Sequence, residues 1–330
     1  MDRNVPRSAV ILAFLAVYVI WGSTYLAIRF CVETMPPFLS AAARFAVAGG
    51  LMVAWCKFRG TPWPSRLHWR NTFIIGALLL LGGNGLVTWS QQWVPSGLAA
   101  LLVACVSLWM VLFGWIAEPT NRPGVKALVG LALGFLGVGV LVQPGGELGS
   151  DPQLLAGAGA LIAATAFWAL GSVWSRRAEL PENLLMVTGM EMLGGAAALT
   201  IVAGLHGDFQ RLDVASISPA SWTGLVYLIF FGSIVAFSAY VWLLKVSTPS
   251  KVATYAYVNP VVAVFLGWAI ADEPVTSTTL LAAAIIVGSV VLITTDRGRG
   301  SQQDEGEPEP ADVDGIPDNV CQSQRLAPVE

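Results

Sequence analysis

Charge is scarce in this sequence. Only 12% of its 330 residues are Asp, Glu, Lys or Arg, against roughly 25% in soluble domains, which excludes a water-soluble fold for most of the chain. Histidine is scarcer still: His68 and His206 are the two present, in predicted loops on opposite sides of the apolar runs. The four cysteines, Cys31, Cys56, Cys105 and Cys321, have neither CxxC nor metal-ligand spacing, and Cys31 and Cys56 fall at opposite ends of neighbouring runs, so no disulfide or metal site is implied. GxSxG, Walker A and HExxH patterns are absent. The chain therefore reads as a non-enzyme with no cofactor, and the missing nucleotide motif argues against an ATP-driven pump. The formal net charge of −3 comes partly from the C-terminal tail, so nucleic acid is not an expected partner.

What is present is apolar sequence, 55% of all residues. Crossing a hydrocarbon core of ~30 Å takes about twenty such residues in a helix, and ten runs of that kind occur, at 8–30, 37–56, 71–91, 96–116, 124–142, 153–175, 183–205, 221–244, 251–271 and 276–295. The expected fold is an all-α polytopic membrane protein of ten transmembrane helices, with the lipid bilayer as its first partner. No A-x-A cleavage site follows the first run, which is long enough to span and reads as a retained anchor. Glycine-rich stretches such as GFLGVGVL suit close helix contacts in a membrane.

With a cytoplasmic N-terminus, fourteen of the eighteen basic residues fall on the inside: Arg3, Arg7, Lys57, Arg59, Arg66, Arg70, Arg122, Lys126, Arg176, Arg177, Lys245, Lys251, Arg297 and Arg299. Arg29 and Arg211 alone fall outside. The positive-inside rule then puts both termini in the cytoplasm. After Asp296 the composition turns to Gly, Pro, Gln and acidic residues, too little apolar surface to order, so 297–330 reads as a disordered acidic cytoplasmic tail.

The second half echoes the first. Trp69 and Trp89 match Trp222 and Trp242, and Gly114-Trp115 matches Gly267-Trp268, at one spacing of 153. Glu118-Pro119 and Glu273-Pro274 close the fourth and ninth runs. The two repeats run over 8–142 and 153–295, five spans each, and an odd number inverts the second copy relative to the first. Inverted repeats are a common plan for secondary transporters with a site near the midplane.

The stretches YVIWGSTYLAIRF, LLLLGGNGLVTWSQQWVPSGLAALLVA and TYAYVNPVVAVFLGWAIADEPVT resemble the EamA-type ten-helix members of the drug/metabolite transporter superfamily, over about residues 8–296. The resemblance implies an inner-membrane carrier, often an exporter of amino acids or other small metabolites, with two EamA repeats and cytoplasmic termini. The chain departs from that pattern at Ser107 in VACVSLWMV, where relatives often have a proline aligned with Pro260, which removes the proline basis for a fourth-helix kink matching the ninth.

Arg44 and Glu191 are the charges well inside the runs, each in the second helix of its half. A central charge costs at least ~2.5–3.5 kcal/mol on insertion scales, so such residues face protein or water. At 1.5 Å rise per residue the two sit about 10–12 Å deep from opposite faces, with an axial gap of roughly 8 Å. They form either a polar pathway, with Glu191 carrying a proton as coupling ion, or a fixed ion pair or charges satisfied by backbone carbonyls. Trp21, Tyr25 and Arg29 share one helix face, and Trp168, Ser172 and Arg176 repeat that spacing; cavity lining competes with snorkelling of the arginines and interfacial tryptophans. Tyr255 and Asn259 share a face beside Pro260, where a hinge is the favoured expectation over a binding role. Asn84 in GGN is expected to bond between helices. Glu118 and Glu273 are expected to place charge at the N-terminus of the helix that follows each.

These readings converge on a secondary-active transporter, an exporter of a small metabolite such as an amino acid or related zwitterion, alternating access around a central cavity. Its candidate binding residues are Arg44, Glu191, Trp21, Tyr25, Trp168, Ser172, Asn84, Tyr255 and Asn259. The rival readings are a flippase for lipid-linked substrates and a non-transporting sensor or scaffold using the tail.

Overall fold

The computed structural model describes residues 6–117, 119, 123–142, 151–247, 252 and 254–295. Arg3, Glu118, Arg122, Lys251 and the tail expected at 297–330 lie outside the described residues, as do Arg297 and Arg299. Among the described residues the regular structure is entirely helical. The long helices are α1 (Arg7–Val32), α2 (Pro37–Phe58), α3 (Arg66–Ser90), α4 (Ser96–Ala117), α5 (Val125–Val142), α6 (Pro152–Ser175), α7 (Leu184–His206), α8 (219–246), α9 (Tyr255–Ala271) and α10 (Ser277–Thr294). Eight are long and apolar enough to cross a membrane, and the stretches Val125–Leu141 and Tyr255–Ala271 are shorter apolar helices.

The ends follow local chemistry. Helix α3 begins at Arg66, five residues before the apolar run at 71, because Ser65 caps it by accepting from the His68 backbone N–H at 3.2 Å. That places His68 in the first turn of a helix rather than in a loop. His206 is likewise the last residue of α7, which stops where Gly207 takes φ +82. Asn183, Ser218 and Thr276 cap α7, α8 and α10 with their side chains.

Two helices are wound more loosely in the middle. Residues Ala77–Gly85 of α3 and Leu228–Val235 of α8 are π-helical, at matching positions in the two halves. Such segments are rare and favour functional sites. Helix α4 is interrupted at Ala104–Cys105 without a proline, and the break is bridged by short-range bonds, Cys105 N–H to the Leu102 carbonyl at 3.1 Å and Leu108 N–H to the Cys105 carbonyl at 3.0 Å. Keeping those peptide groups paired is what allows a break inside a membrane. Conversely α9 continues as one helix through Pro260.

Helix α7 is the packing hub, against α2 on one side and α3 on the other. Both contacts are glycine contacts: a Cβ on Gly49 would lie 2.8 Å from the Gly189 carbonyl, and one on Gly76 would lie 2.1 Å from the Glu191 carbonyl. Helices α5 and α10 form a second tight pair, with Gly134 and Gly137 of GFLGVGVL facing Leu108, Ser289 and Ile286. Lipid is as apolar as leucine, so close backbone approach replaces the hydrophobic effect as the source of helix association.

Two buried carboxylates tie segments that are far apart in sequence. Asp208 accepts from the backbone N–H groups of Phe38 and Leu39, at 2.9 and 3.1 Å, and from His206 at 2.6 Å. Glu273 accepts from the backbone N–H groups of Ser96 and Gly97, at 2.7 and 3.0 Å. This corrects the expectation for Glu273: it serves the N-terminus of α4, in the other half, and not the following helix. Helix α10 already has Thr276 as its cap, and the left-handed conformation of Asp272, φ +51, turns Glu273 back toward α4. Glu118, its sequence counterpart, lies outside the described residues.

Candidate functional site

Seven helices surround an internal cavity of about 130 Å³, roughly ten times the ~10–15 Å³ that one water requires. Helix α1 contributes Trp21, Thr24, Tyr25 and Ile28; α2 contributes Arg44; α3 contributes Gly83, Asn84 and Val87. Val103 and Val106 come from either side of the break in α4, Ala164, Thr165 and Trp168 from α6, Phe237 from α8, and Tyr255 and Asn259 from α9. Both halves of the chain thus meet around one space, walled by aromatic rings with a few polar groups.

Arg44 is 6% exposed. Its Nε donates to Ser233 Oγ at 2.9 Å, and its guanidinium carbon lies 4.7 Å from the centre of the Phe45 ring. The terminal nitrogens have no hydrogen-bond partner among the described residues, and no lining residue of the cavity is Asp or Glu. A guanidinium carries five donors, so one hydroxyl leaves most of its bonding capacity for something that enters the cavity. The loose winding of α8 supplies that hydroxyl: Ser233 lies in its π-helical stretch, next to Gly232, whose carbonyl accepts from Trp21 Nε1 at 3.2 Å. The matching stretch of α3 carries Gly83 and Asn84 to the wall, and Gly83 leaves room for Trp168, since a Cβ there would lie 2.8 Å from that ring.

Trp21 stands within an aromatic cluster, with ring centres 5.3 Å from Phe237, 5.2 Å from Tyr240 and 5.1 Å from Tyr255. Asn259, oriented so that its amide nitrogen donates, bonds the carbonyls of Tyr18 and Tyr255 at 3.2 Å each. The side chain of Asn84, expected to bond between helices, has no hydrogen-bond partner among the described residues and faces the cavity. The backbone carbonyl of Asn84 accepts from Thr88 Oγ1 at 2.8 Å.

Seven of the nine candidate residues are therefore brought to one wall: Trp21, Tyr25, Arg44, Asn84, Trp168, Tyr255 and Asn259. Glu191 and Ser172 are not among its lining residues. Ser172 Oγ donates to the Trp168 carbonyl one turn back, at 2.8 Å, and is satisfied within its own helix. Glu191 sits on α7 where α3 presses closest, and it forms no ion pair with Arg44. Arg29, expected to snorkel, bonds Glu273 Oε1 at 2.8 Å. Sequence reasoning missed Thr24, Thr165 and Phe237, which lack a charge or repeat signal, and Ser233, which the Gly-Ser step of the eighth run, opposite Gly83-Asn84 of the third, marks. No group of three or more His, Cys, Asp or Glu among the described residues could hold a metal ion.

Comparison with known proteins agrees with this architecture. The chain is 39% identical over 283 residues to the uncharacterized inner membrane transporter YedA of Escherichia coli K12, covering 86% of this chain and 89% of that one. It is 25% identical to the uncharacterized transporter YvbV of Bacillus subtilis, over 88% and 92% of the two chains, and 22% identical to the protein PecM of Dickeya dadantii, over 83% and 88%. One solved crystal structure superposes with a TM-score of 0.60 at 24% identity, over 87% of this chain and 97% of its own, a likeness of fold. The sequence profile of EamA-like transporters matches twice, over residues 7–143 and 155–295. The chain belongs to the EamA-like transporter family.

Proposed function

We propose that this transporter works in an inner membrane as a secondary-active exporter of a small metabolite that carries a carboxylate, such as an amino acid or related zwitterion. The observation that carries this reading is Arg44, buried in an aromatic cavity with one hydroxyl for a partner. A buried cation left largely unpaired is costly. An entering carboxylate can take two parallel N–H bonds from the guanidinium, which offsets that cost and fixes the orientation of the ligand.

Because Glu191 lies off the wall, an ammonium group falls to the faces of Trp21, Trp168 and Tyr255, to which a cation is attracted, and to the amide of Asn84. The same rings cover apolar parts of the metabolite. The two five-helix halves act as inverted repeats that expose the cavity to each side in turn, with both termini cytoplasmic and the gradient of substrate or protons as the driving force. Export is inferred from the family resemblance.

A flippase for lipid-linked substrates requires a sideways opening from the site into lipid. The apolar groove formed by α4, α9 and α10, with Pro260, Phe265 and Trp268 among its residues, shares no lining residue with the Arg44 cavity. That favours a soluble metabolite. The test is an untargeted comparison of metabolites inside and outside cells with wild-type protein, Arg44→Gln and no protein. A carboxylate-bearing compound should accumulate outside only with the wild type; equal export by Arg44→Gln would remove the proposed role.

A further inference from the structure

The contacts of Glu273 join three cavity-lining helices at one end of the molecule. Its carboxylate takes the first backbone N–H groups of α4 from Ser96 and Gly97 and the guanidinium of Arg29 from α1, while it follows directly on the last turn of α9. It is held there closely, since a Cβ on Gly267 of α9 would lie 2.4 Å from Glu273 Oε2, and its own N–H returns to the Gly267 carbonyl at 3.0 Å. Arg29 is the residue after Ile28 of the cavity wall, and Ser96 lies about 10 Å along α4 from Val103, at 1.5 Å per residue. The junction therefore lies beyond the cavity, at the end where α1 finishes and α4 begins, and none of its residues is part of the lining.

The energetics suit a junction that opens repeatedly. Glu273 is 6% exposed and Arg29 33%, so the pair is partly desolvated when formed. Separating it at this end of the helices would let water reach the carboxylate, the guanidinium and the two N–H groups together. Hydration then offsets part of the lost attraction, which lowers the cost of breaking the contact. A packed interface with two such arrangements is what switching requires.

We propose that Glu273, Arg29 and the N-terminus of α4 form a latch that seals one end of the Arg44 cavity and releases in each transport cycle. The inference rests on alternating access and not on the identity of the substrate.

Hydrogen-exchange mass spectrometry of the full chain in nanodiscs, without added substrate, separates a latch from a static brace. In Glu273→Gln, amides of 96–103 and the end of α1 should exchange about tenfold faster or more, the size expected for losing charge-assisted bonds. Amides of 110–117, at the opposite end of α4, should become more protected, because opening one end closes the other. Arg29→Gln keeps both backbone bonds to Glu273 and should move both regions in the same directions by less; it also serves if Glu273→Gln does not insert. Faster exchange at 96–103 without added protection at 110–117, or no change at either end, overturns the proposal. Since no substrate is present, a wrong role for Arg44 leaves this result unaffected.

Discussion

Arg44 and Glu191 show the same signal in sequence, one charge in an apolar run, and have different surroundings in the fold. Arg44 reaches the cavity and Ser233, whereas Glu191 lies where α7 meets Gly76 of α3. Depth along a helix is readable by counting residues. Rotation about the helix axis depends on which neighbour packs where, and it is rotation that separates the two. Arg44→Gln should insert and fold normally yet lose substrate binding by about tenfold or more, the cost of charge-assisted bonds, as measured by calorimetry with the exported metabolite. Arg44→Lys should restore only part, since an ammonium cannot make the paired contact. Glu191→Gln addresses the driving force: if this carboxylate carries the coupling proton, the variant should reach the membrane in normal amount and its transport in proteoliposomes should no longer respond to an imposed pH gradient. A response equal to the wild type would exclude the proton role.

At the scale of the element, the π-helical stretches of α3 and α8 turn two ordinary apolar runs into walls of a site. They bring Gly83, Asn84, Gly232 and Ser233 to the cavity or its neighbours. Gly83→Ala would drive a methyl group to 2.8 Å from the Trp168 ring, so it should both destabilise the fold, by about 1–3 kcal/mol as overpacking does, and weaken substrate binding. Thermal unfolding and a binding titration read the two effects separately. Asp208 gives a cleaner case of pure stability. Asp208→Ala removes the partner of two N–H groups at the start of α2 and should cost about 2 kcal/mol, while Asp208→Asn, which still caps, should recover much of it. Wild-type stability in Asp208→Ala would show that water replaces the cap. None of these cross-half contacts has a local signature: Asp208 precedes no helix that it caps, and Glu273 sits next to one it ignores.

For the whole molecule, the distribution of lysine and arginine predicts the topology. Reporter fusions after Arg59, Arg122, Arg177, Lys245 and Arg299 should all report the cytoplasm, and a periplasmic signal at any of them would break the ten-span alternation. Ending the chain near Arg299 should leave the amount of inserted protein unchanged, because 297–330 has too little apolar surface to pack on the helices.

The sequence by itself determined that this is a membrane protein of ten apolar helices in two similar halves. Hydropathy over twenty residues and a repeat at fixed spacing are properties of the chain, and the bilayer reads them without reference to tertiary contacts. It also marked seven of the residues that meet at the cavity, because charged and amide groups inside apolar runs must face something other than lipid, and because the aromatic residues share helix faces with polar ones. The tertiary structure decided which of the marked residues share a space, that Ser172 and Glu191 do not, that α4 breaks without a proline while α9 stays helical across one, and that Glu273 caps α4 in the other half. Those outcomes depend on helix rotation and on glycine contacts such as Gly76 against Glu191, which exist only once the helices are packed together.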